Sequence, residues 1–109
     1  MLVKIEAIVR PEKTEQILAK LAEKGHTAVT RMDVYGRGKQ AGIHIGDVFY
    51  DELPKELLFL VAEAAHEKEI VDVITTQART SDLGNYGDGR IFVHAIENAY
   101  TISSGAEGL

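Results

Sequence analysis

The sequence predicts an α+β fold: an antiparallel sheet carrying two helices on one of its faces. Three observations predict it. Four segments carry strand signals, alternating, β-branched or short and apolar; two follow the helical period; and the six succeed one another as β-α-β-β-α-β. At 109 residues the chain has the length of one small domain, spanning 1–109. Two β-α-β halves of similar length, each crossing over in the right-handed sense, close into a ferredoxin-like βαββαβ sandwich.

The first strand is legible in Val3, Ile5, Ala7 and Val9, which fall on one face while Lys4 and Glu6 fall on the other. Pro11 ends it and is tolerated in the first turn of a helix, where its missing N–H has no partner to lose. Ile17, Leu18, Leu21 and Ala22 continue at helical spacing, and Gly25 stands where a left-handed cap stops a helix, so residues 11–24 are expected to be helical. Thr27 to Val34 is β-branched and alternates, with Ala28, Met32 and Val34 sharing a parity: a second strand. From Gly36 to Leu53 neither period holds. Pro54 closes that stretch, and Leu57–Val61 is a short apolar run read as a buried strand. Glu67 to Ala78 is a second amphipathic helix, residues 81–89 a loop, Arg90 to Ile96 a strand, and Tyr100 to Ile102 a short fifth strand. Leu2, Ile8, Phe92 and Ile96 make the other sheet face apolar too, which predicts an oligomer.

Composition excludes several functions. Twelve Lys and Arg against 17 Asp and Glu give a net charge of −5, so attraction to a phosphate backbone by bulk charge is not expected. The absence of cysteine removes disulfides, thiolate nucleophiles and thiolate metal sites. Lys4, Glu6 and Arg10 interrupt the opening segment, which reads as neither a signal peptide nor a membrane span; a cytoplasmic location is expected. Histidines at 26, 44, 66 and 94 show no metal-ligand spacing, and no nucleophile lies near Asp88 and Arg90, so neither histidine metal binding nor catalysis is expected. His44 and the acidic Asp47, Asp51 and Glu52 read as solvent or partner contacts.

Seven of the ten glycines lie in two windows, 36–46 and 84–89. The first opens as Gly36-Arg37-Gly38-Lys39-Gln40, and the second ends in Gly87-Asp88-Gly89-Arg90. Glycine lets a backbone approach a ligand closely, successive N–H groups can cup an anion, and neighbouring cations supply charge. The same residues are equally compatible with flexible turns.

Three motifs resemble those of the PII nitrogen-regulatory signalling proteins. They are Val34-Tyr35-Gly36-Arg37-Gly38-Lys39-Gln40-Ala41-Gly42, Leu53-Pro54-Lys55 and Gly87-Asp88-Gly89-Arg90-Ile91-Phe92-Val93, and the opening Ile5–Pro11 fits as well. The runs Ala28–Val34, Tyr50–Leu58 and Ala99-Tyr100-Thr101 are similar to the nitrogenase-associated branch, often called NifI. That resemblance implies a trimer with nucleotide between subunits, and a long T-loop at about 36–54. Mg-ATP or ADP would lie along Gly36, Gly38, Lys39, Gly87, Asp88, Gly89 and Arg90. Gln40 would hold Mg²⁺ together with 2-oxoglutarate, and Lys55 would meet a 2-oxoglutarate carboxylate. It further implies regulation of nitrogenase, or of another nitrogen-metabolism protein, through the T-loop. The chain departs from the family pattern where Thr101 and Ser103 replace C-terminal arginines, where Phe59 replaces a carboxylate, and where Ser81-Asp82-Leu83 lengthen a loop. Tyr50 lacks the surroundings of the tyrosine that some members have modified. These departures suggest an alternative, a divergent interaction subunit acting with a second PII-like chain.

Overall fold

A computed structural model describes residues 1–37, 43–45, 48–50 and 52–109. Strand β1 runs Leu2–Val9, helix α1 Thr14–Glu23, β2 Thr30–Gly36, β3 Ile43–Ile45, β4 Val48–Tyr50, β5 Leu53–Glu63, α2 Glu67–Ala78 and β6 Gly89–Ile96. Four strands form a sheet in the order β2-β5-β1-β6, every neighbouring pair antiparallel. Because β5 lies antiparallel between β1 and β2, those two run the same way, and α1 carries the chain across β5. The same reasoning applies to β5 and β6, which flank β1 and are joined through α2. This is the ferredoxin-like α+β arrangement that the element order predicts.

The core lies between the sheet and the two helices. Val3, Ile5, Ala7 and Val9 of β1 are all buried, as the alternation requires, and meet Leu58, Leu60 and Ala62 of β5. The helices contribute Ile17, Leu21, Ile70, Val73, Ile74 and Ala78. Each buried Leu, Ile or Val stabilises the packing by about 1.5–3 kcal/mol relative to exposure, which fixes which helix faces turn inward.

The structure corrects several expected boundaries. Residues 11–24 divide into a 3-10 turn over Pro11–Lys13 and α1 proper, with the Lys13 N–H donating to Arg10 O at 3.0 Å. The second strand begins at Thr30, because Gly25 and His26 are still closing α1. Its Met32 is 47% exposed; opposite Leu57, it shares the sheet face that no helix covers. The third long strand spans Leu53–Glu63, well beyond Leu57–Val61. Pro54 does not end pairing; it stands opposite Tyr35 of the edge strand β2. Inside 36–54, where no period is visible, β3 and β4 pair as a hairpin with Ile45 opposite Val48. Tyr100–Ile102 is not a strand; Tyr100 makes a single bridge to Glu107.

The sheet face away from the helices is also apolar. Leu2, Ile8, Leu57, Phe59, Val61 and Ile96 are half-buried there, and Phe92 is 44% exposed. A polar stripe crosses it: Lys4 Nζ lies 2.7 Å from Glu6 and 4.6 Å from the Phe59 ring centroid.

A candidate anion-binding end of the sheet

β1 and β2 finish, and β5 and β6 start, at one end of the sheet. Register therefore brings distant residues together: Gly36 stands opposite Leu53, Lys55 opposite Val34, Gly89 opposite Val9 and Arg90 opposite Ile8, with Arg10 just past β1. Lys55 Nζ donates to Gly87 O at 2.5 Å, which joins the start of β5 to the glycine turn before β6.

Asp88 braces that turn. Its carboxylate accepts from Asn85 N at 2.7 Å, from Thr80 Oγ1 at 2.9 Å and N at 3.2 Å, and from Arg10 Nε at 3.1 Å. Burial alone pushes this carboxyl up, but the hydrogen bonds from Asn85, Thr80 and Arg10 outweigh it and hold the pKa at about 2. A second Arg10 nitrogen reaches Tyr86 O at 2.9 Å. Gly87 and Gly89 adopt φ of +91° and +119°. Gly89 has a further reason to be glycine, since a Cβ there would stand 1.9 Å from Ile8 O.

Lys55 is part-buried, and its pKa is lowered first by that burial and then by repulsion from Arg10, with Glu12 and Asp88 opposing. Arg10, Lys55 and Arg90 thus put three cations around one glycine turn in a chain of net charge −5. A cavity of about 690 Å³ adjoins the turn on the helix side, bounded by Val9, Ile74, Tyr86 and Arg90 among others. Near the same end the buried Glu56 accepts two hydrogen bonds from Arg31, at 2.8 and 3.0 Å, and Arg31 also donates to Glu15 at 2.7 Å. That network ties β2 to β5 and α1, and so fixes the strand that leads into residues 36–54.

Of the residues that the sequence singles out, Gly36, Lys55, Gly87, Asp88, Gly89 and Arg90 converge here. Gly38, Lys39, Gln40, Asp47 and Asp51 lie outside the described residues, as do the side chains of His44 and Tyr50. Sequence reasoning missed Arg10, Thr80 and Asn85 as parts of the turn. Arg10 was findable, because a cation ending the first strand must share the end at which a fourth strand begins. Thr101 and Ser103 are exposed in a separate C-terminal turn, where Thr101 N donates to Ala106 O at 2.9 Å.

Comparison with known proteins decides the family. The profile described as "Nitrogen regulatory protein P-II" matches residues 2–106. This chain belongs to the P-II family. It is 46% identical over 105 residues to the "Nitrogen fixation nifHD region GlnB-like protein 1" of Methanobacterium ivanovii, covering 96% of this chain and 97% of that one. The "Nitrogen fixation nifHD2 region GlnB-like protein 1" of Methanosarcina barkeri is 49% identical with the same coverage. Among solved structures, Arabidopsis thaliana PII bound to citrate superposes with a TM-score of 0.79 at 30% identity, over 98% of this chain and 85% of that one. The resemblance to the nitrogenase-associated branch is therefore correct. As a P-II protein the chain has a nitrogen-regulatory, signalling role and is not an enzyme. Among the described residues no helix is long and apolar enough to cross a membrane.

Proposed function

We propose that this P-II chain senses ATP or ADP together with 2-oxoglutarate, and regulates nitrogen fixation through contact of residues 36–54 with nitrogenase. The observation that carries this reading is the convergence of Gly36, Lys55, Gly87, Asp88, Gly89 and Arg90 on one end of the sheet. The phosphates lie against Gly36, Gly38 and Lys39 on one side and the 87–90 turn on the other. Gln40 gives its side-chain oxygen to Mg²⁺, a hard cation that prefers oxygen ligands. Lys55 gives charge to a 2-oxoglutarate carboxylate that the metal bridges. The dicarboxylate then joins only after Mg-ATP, so two metabolites are read at one place, and their differential affinity shifts the conformation offered to the partner.

The chain works as a single domain over 1–109, in the cytoplasm, as a homotrimer whose apolar sheet faces meet. The half-buried Leu2, Ile8, Leu57 and Phe59 with the exposed Met32 and Phe92 support that association. Thr101 and Ser103 favour a second reading, a mixed assembly in which another PII-like chain supplies the cations absent from this C-terminal turn. Capture of nitrogenase by the immobilised full chain, with and without 2-oxoglutarate in Mg-ATP buffer, tests the regulatory contact. Capture should change several-fold between the two buffers. No capture in either buffer would remove nitrogenase contact from the proposal, equal capture would remove its control by 2-oxoglutarate, and native mass spectrometry of the same samples separates homotrimer from mixed assembly.

A further inference from the structure

At the opposite end of the sheet the fold gathers residues that sequence spacing keeps apart. His26 follows Gly25, whose φ of +90° closes α1 with Gly25 N donating to Ala22 O at 3.0 Å and His26 N to Leu21 O at 2.8 Å. Those two bonds form a Schellman-type cap, and they fix where the His26 side chain begins. His66 ends the 3-10 turn Ala64–His66 that leads into α2, and Ala64 N holds that turn by donating to Met1 O at 2.8 Å. Glu69 lies one helical turn further on, beside the fully buried Ile70 that anchors α2 in the core.

One ligand atom from each of His26, His66 and Glu69 lies within 4.8 Å of the other two. His26 Nε2 and Glu69 Oε1 are 2.8 Å apart, and the two imidazoles meet edge to face with centroids separated by 5.3 Å. We propose that His26, His66 and Glu69 form a binding site for a divalent transition-metal cation of the zinc type. Two imidazoles and one carboxylate suit zinc and its neighbours and do not suit magnesium or calcium, which take oxygen donors. A tetrahedral ion with bonds of about 2.0–2.1 Å holds its ligands roughly 3.4 Å apart. The His26–Glu69 pair, at 2.8 Å, would open slightly to that spacing, and all three ligand atoms already lie within 4.8 Å of one another; His66 and Glu69 are exposed, whereas His26, with its side chain 12% exposed, is the more constrained ligand. Three protein ligands leave a fourth position for water or for a donor from another molecule. Both histidines must bind as neutral imidazoles, because the ion takes a ring-nitrogen lone pair. A bound ion would tie the end of α1 to the start of α2, far from Lys55, and so does not depend on the nucleotide reading.

The test is calorimetric titration of the full chain with Zn²⁺ in a non-chelating buffer at neutral pH, without nucleotide, paired with Co²⁺ absorption spectra. One Zn²⁺ per chain is expected, with no heat from Mg²⁺ and a tetrahedral Co²⁺ spectrum. His66→Ala should weaken Zn²⁺ by about tenfold or more, and Glu69→Gln should weaken it as well. His94→Ala controls for the histidine on the open sheet face, 3.5 Å from Glu6, and should leave Zn²⁺ affinity unchanged. His66→Gln, checked for native circular dichroism, replaces His66→Ala if that variant does not fold. No saturable binding up to about 1 mM, or affinity within twofold of the parent in the folded His66 variant, overturns the proposal.

Discussion

The two ends of the sheet use their polar groups differently. At the Lys55 end nearly every group around the glycine turn is already engaged: Asp88 accepts four hydrogen bonds, Arg10 donates to two residues, and Lys55 is bonded to Gly87 O. At the His26 end the end of α1 meets the start of α2 through His26, which lies 2.8 Å from the exposed Glu69 and packs edge to face on His66. The first end is a preformed cradle whose shape depends on internal bonds. The second is a loose cluster held in place by backbone caps. The difference teaches that a turn dense in glycine can be the more extensively bonded of two surface sites, when a single carboxylate collects backbone and side-chain donors from around it.

Two glycines test that contrast most severely. Gly89→Ala should cost about 3 kcal/mol or more, since it combines φ of +119° with a Cβ 1.9 Å from Ile8 O. Urea unfolding at fixed protein concentration measures it. Asp88→Asn comes next, at about 2 kcal/mol near neutral pH. Folding lowers this carboxyl from 3.8 to about 2, so its contribution is complete above about pH 5 and is lost as pH falls through 2. The gap between parent and variant in urea should therefore narrow steadily below pH 4; a constant gap would mean that the carboxylate's charge is not what braces the turn. Gly25→Ala should cost only about 1 kcal/mol. Its φ of +90° is similar, but nothing lies within 4 Å of the added carbon. Glu69→Gln should change stability by less than about 0.5 kcal/mol, because exposed pairs contribute little. Thermal melts in metal-free buffer would detect a larger loss, and one equal to that of Asp88→Asn would erase the distinction between the two ends.

Much of the fold was legible in the sequence for a simple reason. Where one sheet face is buried, alternation is strict, and Val3, Ile5, Ala7 and Val9 announce β1 without ambiguity. α2 is equally clear over Glu67–Ala78, because its polar flanks and apolar stripe agree. β5 is harder to read, since Leu57 to Val61 are apolar on both faces and Pro54 imitates a stop while lying opposite the edge strand β2. The β3–β4 hairpin is invisible to periodicity, as three-residue strands hold too few alternations to count. For the site, the glycine windows and Lys55 could be named from motifs. Arg10 could have been placed there from its position at the end of the first strand, but Thr80 and Asn85 could not be assigned roles, because their work is to satisfy Asp88 and that depends on how the loop before β6 folds back. His26, His66 and Glu69 escaped for a similar reason, with His26 and Glu69 43 positions apart in the chain.

The central claim is that the Lys55 end of the sheet binds a dicarboxylate only when Mg-ATP is present. Calorimetric titration of the full chain with 2-oxoglutarate, with and without Mg-ATP, tests it directly. Binding should be seen with Mg-ATP and be absent without it, and Lys55→Ala should weaken 2-oxoglutarate by about tenfold or more, as loss of a charge-assisted contact implies, while Mg-ATP still binds. Failure of both ligands to bind at millimolar concentration, or 2-oxoglutarate binding that ignores Mg-ATP and Lys55, would contradict it.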